Sequence, residues 1–122
     1  MRKFEIDRSR WLRGGYPSFL LRRKDRKMCC IGLYLEACGV EEERLVDIAD
    51  PMGVMGLLPV EAHWLRQGEQ EDKTPLDSYA ASALMWVNDQ MNTITEAERE
   101  EAIRARFSSH GVEVTFVDGD GA

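Results

Sequence analysis

The stretch MCCIGLYLEACG, residues 28–39, belongs to the longest nearly uncharged run of the chain, and the fold that we expect is built around it. The run ends at Val40 and contains one charged residue, Glu36, so it is too short and too polar to cross a bilayer. We therefore predict a buried helix that begins near Met28 and stops at Gly39, a residue type that commonly ends helices.

Two adjacent cysteines open this helix, and Cys38 lies near its end. In a helix, Cys30 and Cys38 fall within about 80° of each other, whereas Cys29 and Cys30 diverge by roughly 100°. A tetrahedral zinc site uses closely paired ligands, and that pairing is missing here. His63 and His110 would have to converge on the thiols from distant loops.

A catalytic cysteine needs a partner histidine and an electropositive pocket, and Lys27 next to Cys29 gives only weak support for one. Free cysteine is among the most frequently buried residue types, so we predict that the thiols fill the core. Thiol or zinc chemistry centred on Cys29 and Cys30 is the weaker alternative. We predict no catalytic residue, metal or cofactor.

Alternating segments at both ends of the chain predict strands. KFEID, residues 3–7, places Phe4 and Ile6 on one face, and VEVTFVD, residues 112–118, alternates in the same way. SFLLRR, residues 18–23, is expected to form a further strand. Asp7 is a suitable N-cap for a helical turn over RSRWLRG, which the glycines at 14 and 15 would end.

Three further segments predict helices. EEERLVDIA, residues 41–49, has acidic residues in its first turn, and Thr74 with Pro75 is the order in which a helix begins. That second helix carries an apolar stripe of Ala80, Leu84, Val87 and Met91 with Trp86 beside it. TEAE, residues 95–98, is a capping box for a charged helix that Gly111 ends. Residues 50–60 and 66–73 are expected to be loops.

These segments together predict one α+β domain over residues 1–122. We expect a small sheet of about three strands, antiparallel or mixed, that uses both chain ends and packs on three to four helices. The N-terminus lacks a secretory pattern, and three cysteines without framework spacing fit a reducing compartment. The sequence therefore predicts a cytoplasmic protein that does not enter a membrane.

The net charge of −6 hides an uneven distribution. Residues 1–27 contain ten Lys or Arg and three Asp or Glu, whereas residues 28–122 contain six and nineteen. Such asymmetry indicates either a surface for a polyanion or another polar partner, or a basic segment that lies against the acidic helices of the same chain.

The basic residues near the N-terminus are the best candidates for contact with a partner or with nucleic acid. Their cations neutralise phosphates, and an aromatic ring can stack on a base. The chain lacks a helix-turn-helix, zinc-finger, RNP or KH signature, and as a whole it is acidic. The candidate residues are Arg8, Arg10, Trp11, Arg13, Arg22, Arg23, Lys24, Arg26 and Lys27.

Other patterns favour ordinary structure over chemistry. VNDQMNTITEAE, residues 87–98, matches parts of a calcium loop but lacks its first and fifth oxygen ligands and its glycine. The acidic clusters at residues 41–43 and 96–101 are either a phosphate mimic or, more commonly, caps and solvated faces. Met52, Met55, Trp64 and Met85 either line an adaptable groove or pack in the core.

The frame IDRSRWLRG, KMCCIG, ACG and VNDQMNTITEAEREEAIRARFSSHGVEVTFVD resembles a group of small uncharacterised proteins of bacteria and their phages. The resemblance covers most of the chain. Because that group has no assigned activity, it implies no catalytic residue. It does imply a bacterial or phage cytoplasmic setting, and it places the cysteines in the first core helix.

The sequence therefore favours a non-enzymatic binding protein that acts through a protein partner, as an inhibitor or adaptor. Small size, divided charge and the lack of a convergent catalytic set support this hypothesis. The alternative is a nucleic-acid-binding protein that uses the basic N-terminal segment. The oligomeric state is left open.

Overall fold

The computed structural model describes residues 2–14, 19–48, 56, 58–66, 80–90 and 94–118, and these residues form an α+β structure. They contain two strands, three α-helices and three short 3₁₀ segments. The strands and helices are β1 (Arg2–Asp7), α1 (Cys30–Ala37), α2 (Ala80–Asp89), α3 (Glu96–Ser108) and β2 (Val112–Val117). The 3₁₀ segments are Arg8–Arg10, Glu42–Arg44 and Val60–Arg66.

The sheet of the described residues consists of β1 and β2 alone, and the two strands are parallel. Their register runs from Arg2 opposite Val112 to Asp7 opposite Val117. The sheet therefore uses both chain ends, as predicted, but the expectation of about three antiparallel or mixed strands is wrong. Parallel neighbours need a long crossover connection, and here all the helices lie within it.

The segment predicted as a strand over residues 18–23 does not form one in its described part, residues 19–23. Leu20 and Leu21 are both fully buried, which breaks the alternation of a strand with one solvated face. Their hydrogen bonds go to different places: Leu20 N donates to the carbonyl of Ile48, and Leu21 forms only an isolated bridge with Val46.

The core lies between the inner face of the sheet and the helices. Phe4 of β1 contacts the ring of Tyr34 on α1 and the ring of Phe107 on α3, with centroid distances of 5.2 and 5.5 Å. Trp64 packs on the same two rings and donates from Nε1 to the Tyr34 hydroxyl at 3.2 Å. Edge-on and tilted rings of this kind bury large apolar areas in a fixed geometry.

Helix α1 is buried along most of its length, and at Gly32 it lies close to the backbone of Leu20. A Cβ atom at this position would lie 1.9 Å from the carbonyl oxygen of Leu20, so no other residue fits without moving the backbone. Gly39 follows the helix with φ of +100°, which confirms the predicted stop.

Several predicted helix ends are confirmed, and others are displaced. Asp7 caps the first turn by accepting from Ser9 N, but the turn ends at Arg10 because Trp11 and Met28 form a parallel bridge. The capping box of Thr95 and Glu98 is present, and Gly111 follows α3 with φ of +82°.

In the predicted helix over residues 41–49, the described part, residues 41–48, contains only the short segment Glu42–Arg44, and the segment Val60–Arg66 was not expected. The predicted helix start at Thr74 and Pro75, most of the loop over 50–60, and the loop over 66–73 beyond Arg66 lie outside the described residues. Within the described ranges, no helix is long and apolar enough to cross a membrane.

Candidate functional site

The cysteines at the start of α1 lie inside the core. Cys29 is the N-cap of the helix, and its Sγ accepts a hydrogen bond from Gly32 N at 3.5 Å. Burial raises the pKa of the Cys29 thiol to about 12 and that of Cys30 well above its ordinary value. Because the thiolate is the nucleophile, both groups are unreactive in the folded protein near neutral pH.

Cys38 is only half-buried, and the environment raises its pKa as well. Desolvation is the main cause, although the Tyr34 hydroxyl and the Arg2 guanidinium act in the opposite direction. The third thiol therefore does not show the lowered pKa of a reactive cysteine.

The two histidines contact a backbone carbonyl and an aromatic ring, and not the cysteine thiols. His63 Nε2 is 3.1 Å from the carbonyl oxygen of Leu58, and the His110 ring stacks on Trp64 with a centroid distance of 4.5 Å. In the part of the chain that the structure describes, no three His, Cys, Asp or Glu side chains lie close enough to hold a metal ion.

Asn88, near the end of α2, is a fully buried polar residue that joins three parts of the chain. Its Oδ1 accepts from Trp11 Nε1 at 2.8 Å and from Cys30 N at 3.1 Å. Its Nδ2 donates to the carbonyl oxygen of Leu12 and to Asp89 Oδ1, each at 3.0 Å. These contacts satisfy the side chain completely, which is the usual condition for burying an amide.

A second buried polar residue, Arg99 of α3, completes this junction and is only 1% exposed. Its Nη1 donates to the carbonyl oxygens of Val87 and Asn88 at 3.0 and 2.9 Å, and its Nε donates to Glu96 at 3.2 Å. The positive charge thus meets the carbonyl end of α2, where the helix dipole favours a cation.

Sequence reasoning missed this buried polar junction of Asn88 and Arg99. The available signal was the asparagine at the end of the apolar run ALMWV, residues 83–87. Its partners Trp11 and Cys30 could not be identified from the sequence, because they lie 77 and 58 residues away. The junction holds elements together through hydrogen bonds within the chain.

The candidate basic residues mostly form ion pairs within the chain. Arg8 binds Glu100 through two hydrogen bonds of 2.8 Å and also reaches Asp118. The other pairs are Arg10 with Glu36, Arg13 with Glu96, Arg22 with Asp25, Arg23 with Asp47, and Arg26 with Glu42. The acidic clusters at 41–43 and 96–101 thus supply several of the partners.

Trp11 is 2% exposed and lies between Phe116 and the guanidinium of Arg13. Its ring is therefore not available to stack on a base in this conformation, contrary to the function that we expected of it. Lys24 is exposed and Lys27 is partly exposed, and neither forms an ion pair with a described residue. The structure therefore gives the candidate residues different surroundings.

The exposed apolar side chains are few among the described residues. Val60 is 72% exposed, and Trp86, which we expect beside the apolar stripe of α2, is 68% exposed. Trp64 and Met85, which we considered for a groove, are mainly buried. Met52 and Met55 lie outside the described residues.

A shallow groove of about 230 Å³ lies after the end of α1. Glu41 and Arg44 give it one charge of each sign, and Pro59 precedes the exposed Val60. The residues that line it are Cys38, Gly39, Val40, Glu41, Arg44 and Pro59. The groove therefore offers apolar contact with charges of both signs beside it.

Comparisons of the chain with protein-family models, with curated proteins and with solved structures find no match.

Proposed function

We propose that this chain is a small non-enzymatic binding protein of bacterial or phage origin that acts through a protein partner, as an inhibitor or adaptor. The exposed indole of Trp86 carries the proposal. Tryptophan is enriched among the residues that contribute most to protein–protein binding, because it buries a large area with few rotatable bonds. Its position on α2 holds the ring on a rigid element.

The groove beside Val60 supports the same proposal. Segment Val60–Arg66 contacts α2, so one packed unit carries both exposed apolar side chains. A partner that inserts an apolar side chain between Val40 and Pro59 would also meet Glu41 and Arg44. The partner is therefore expected to present an apolar anchor flanked by polar groups, as in ordinary protein interfaces.

The remaining chemistry of the described residues supports binding over turnover. The buried thiols are protonated near neutral pH, and most candidate arginines already have carboxylate partners. Catalysis needs groups that can touch a substrate, whereas these groups hold the fold together.

The test is affinity capture from a bacterial lysate with the full chain and a C-terminal tag. We expect a stoichiometric protein that is retained after nuclease treatment and lost with Trp86→Ala or Val60→Asp. The matched control is Lys24→Ala, an exposed change outside the apolar surface that should retain the partner. A partner bound equally by the wild type and both apolar variants would contradict the proposed surface.

Nucleic-acid binding is the second candidate, and the exposed turn at residues 22–27 favours it. Arg23 keeps 69% of its side chain exposed despite its ion pair, and Lys24 extends beside it. The same capture distinguishes the two functions, since a nucleic-acid complex is lost after nuclease and at high salt. The double variant Arg22→Glu and Arg23→Glu should then abolish retention.

A further inference from the structure

The outer edge of β1 presents backbone groups that no described residue pairs with in a sheet. Arg2 N donates to the carbonyl oxygen of Gly111 at 3.0 Å, and Arg2 lies opposite Val112. Arg2, Phe4 and Ile6 therefore direct their backbone groups towards β2. Because the direction alternates along a strand, the N–H and C=O groups of Lys3 and Glu5 point to the outer edge.

The side chains on the solvent face of this edge have opposite charges. Lys3 and Glu5 are both exposed, and neither forms an ion pair with a described residue. Phe4 between them points into the core. A charge on an edge strand usually discourages pairing. Here, however, Lys3 can pair with Glu5 of a second copy, and Glu5 can pair with Lys3 of that copy.

We propose that two copies of this chain form a symmetric dimer by antiparallel pairing of their β1 edges. Lys3 of each copy lies opposite Glu5 of the other, and Phe4 lies at the twofold axis. The Lys3 and Glu5 pairs exchange both of their backbone hydrogen bonds, because these residues carry the outward groups. The result is a continuous sheet in the order β2, β1, β1, β2, which closes one exposed edge of each copy.

The charges select this register over its neighbours. A shift by one pair places Glu5 opposite Glu5 of the second copy. Lys3 would then lie opposite Asp7, whose Oδ1 already accepts hydrogen bonds from Ser9 N and Oγ. The shift in the other direction places Lys3 opposite Lys3. Like charges directly opposite each other are destabilising, whereas opposite charges stabilise a cross-strand pair. A slip by a single residue would turn the inward and outward faces over and is excluded by the burial of Phe4.

The dimer is tested by sedimentation equilibrium of the full chain, with any tag at the C-terminus, from micromolar into millimolar concentration. We expect a concentration-dependent dimer. Glu5→Lys and Lys3→Glu each create two repulsive pairs and should weaken dimerisation by about tenfold. The double variant carries both changes and should restore the wild-type affinity, since its charges are complementary again.

A mixture of the two single variants gives the sharper result. Lys3 and the new lysine of Glu5→Lys would face two glutamates of Lys3→Glu, so the mixed dimer should form more tightly than either variant alone. Glu43→Lys makes the same charge reversal at an exposed residue of the segment Glu42–Arg44, outside the sheet, and is the matched control, with no expected effect. A wild type that stays monomeric, or a dimer that both single variants leave unchanged, overturns the proposal. The dimer does not depend on the protein partner proposed above.

Discussion

Two basic stretches, residues 8–13 and 22–27, have different positions in this molecule. In the first, Trp11 enters the core and the arginines pair with residues distant in the sequence, such as Glu100 and Glu96. In the second, Arg22 pairs with Asp25 within the same turn, Arg23 and Arg26 form exposed pairs with Asp47 and Glu42, and Lys24 extends into solvent. The comparison teaches that a run of positive charge does not by itself mark a surface for a partner.

The difference follows from what accompanies the charges. An indole N–H in the first stretch finds a buried acceptor in Asn88 at 2.8 Å, which fixes the chain against α2. The second stretch contains no apolar residue between Leu21 and Met28, so only its two ends reach the core.

The largest effect is expected from a substitution that removes the buried hydrogen bond between Trp11 of the first stretch and Asn88. Asn88→Ala leaves Trp11 Nε1, Cys30 N and the carbonyl of Leu12 without their side-chain partner. Because unsatisfied buried polar groups are costly, we expect the free energy of unfolding to fall by about 3–5 kcal/mol in urea denaturation. Trp86→Ala on the same helix is the control and should change it by less than about 0.5 kcal/mol.

The next largest effect is expected at the close contact between helix α1 and Leu20, which lies just before the second stretch. Gly32→Ala would place a methyl group against the backbone of Leu20, just before the turn begins. Helix α1 must then shift, and we expect a loss of about 2–3 kcal/mol, measured in the same way. A Cβ atom at Gly56 would meet no atom of a described residue within 4 Å, so Gly56→Ala serves as the control. Equal stabilities for the two variants would contradict the close approach.

The pH dependence of the free energy of unfolding distinguishes the solvated turn from the buried thiols that follow it in the sequence. The pKa of Cys29 is raised from 9.0 to about 12 by burial, and that of Cys30 is raised too. The unfolded chain therefore loses these protons first, so the stabilising contribution is complete below pH 9 and is lost as pH rises towards the folded-state values. We expect stability to fall by up to about 1.4 kcal/mol per pH unit for each thiol.

The measurement is urea denaturation between pH 8 and 10. Tyr34, whose ordinary pKa is 10.0, also begins to titrate in the unfolded chain near the upper limit, but it does so in the wild type and the variant alike. Cys29→Ala should have a shallower pH dependence than the wild type. An unchanged slope in this variant would show that its thiol titrates equally in both states.

The smallest effect compares the ion pairs of the two stretches directly. Arg8 makes two hydrogen bonds to Glu100, whose side chain is only 14% exposed, whereas Arg22 pairs within a solvated turn. Solvent screening weakens exposed pairs, so Arg8→Ala should lower the melting temperature more than Arg22→Ala. The reverse order, in thermal unfolding at low salt, would contradict the assigned difference.

Local patterns in the sequence were sufficient for part of this fold. The capping box at Thr95, the stop at Gly39 and the alternation of Val112, Val114 and Phe116 are confirmed, because each depends on neighbouring residues. The third strand was wrong, because the burial of Leu20 and Leu21 side by side depends on what packs on them. For the same reason the sequence did not reveal that Trp86 is exposed and Trp11 buried.

The sequence by itself determined the α+β class, the two terminal strands, the main helices and the burial of Cys29 and Cys30. The tertiary structure decided that the strands are parallel, that Asn88 and Arg99 join the helices, and that the arginines meet carboxylates of distant elements. The physical reason is the distance along the sequence over which each kind of interaction acts. Periodicity and capping act over a few residues, whereas strand direction, burial of polar groups and ion pairing depend on segments that only folding brings together.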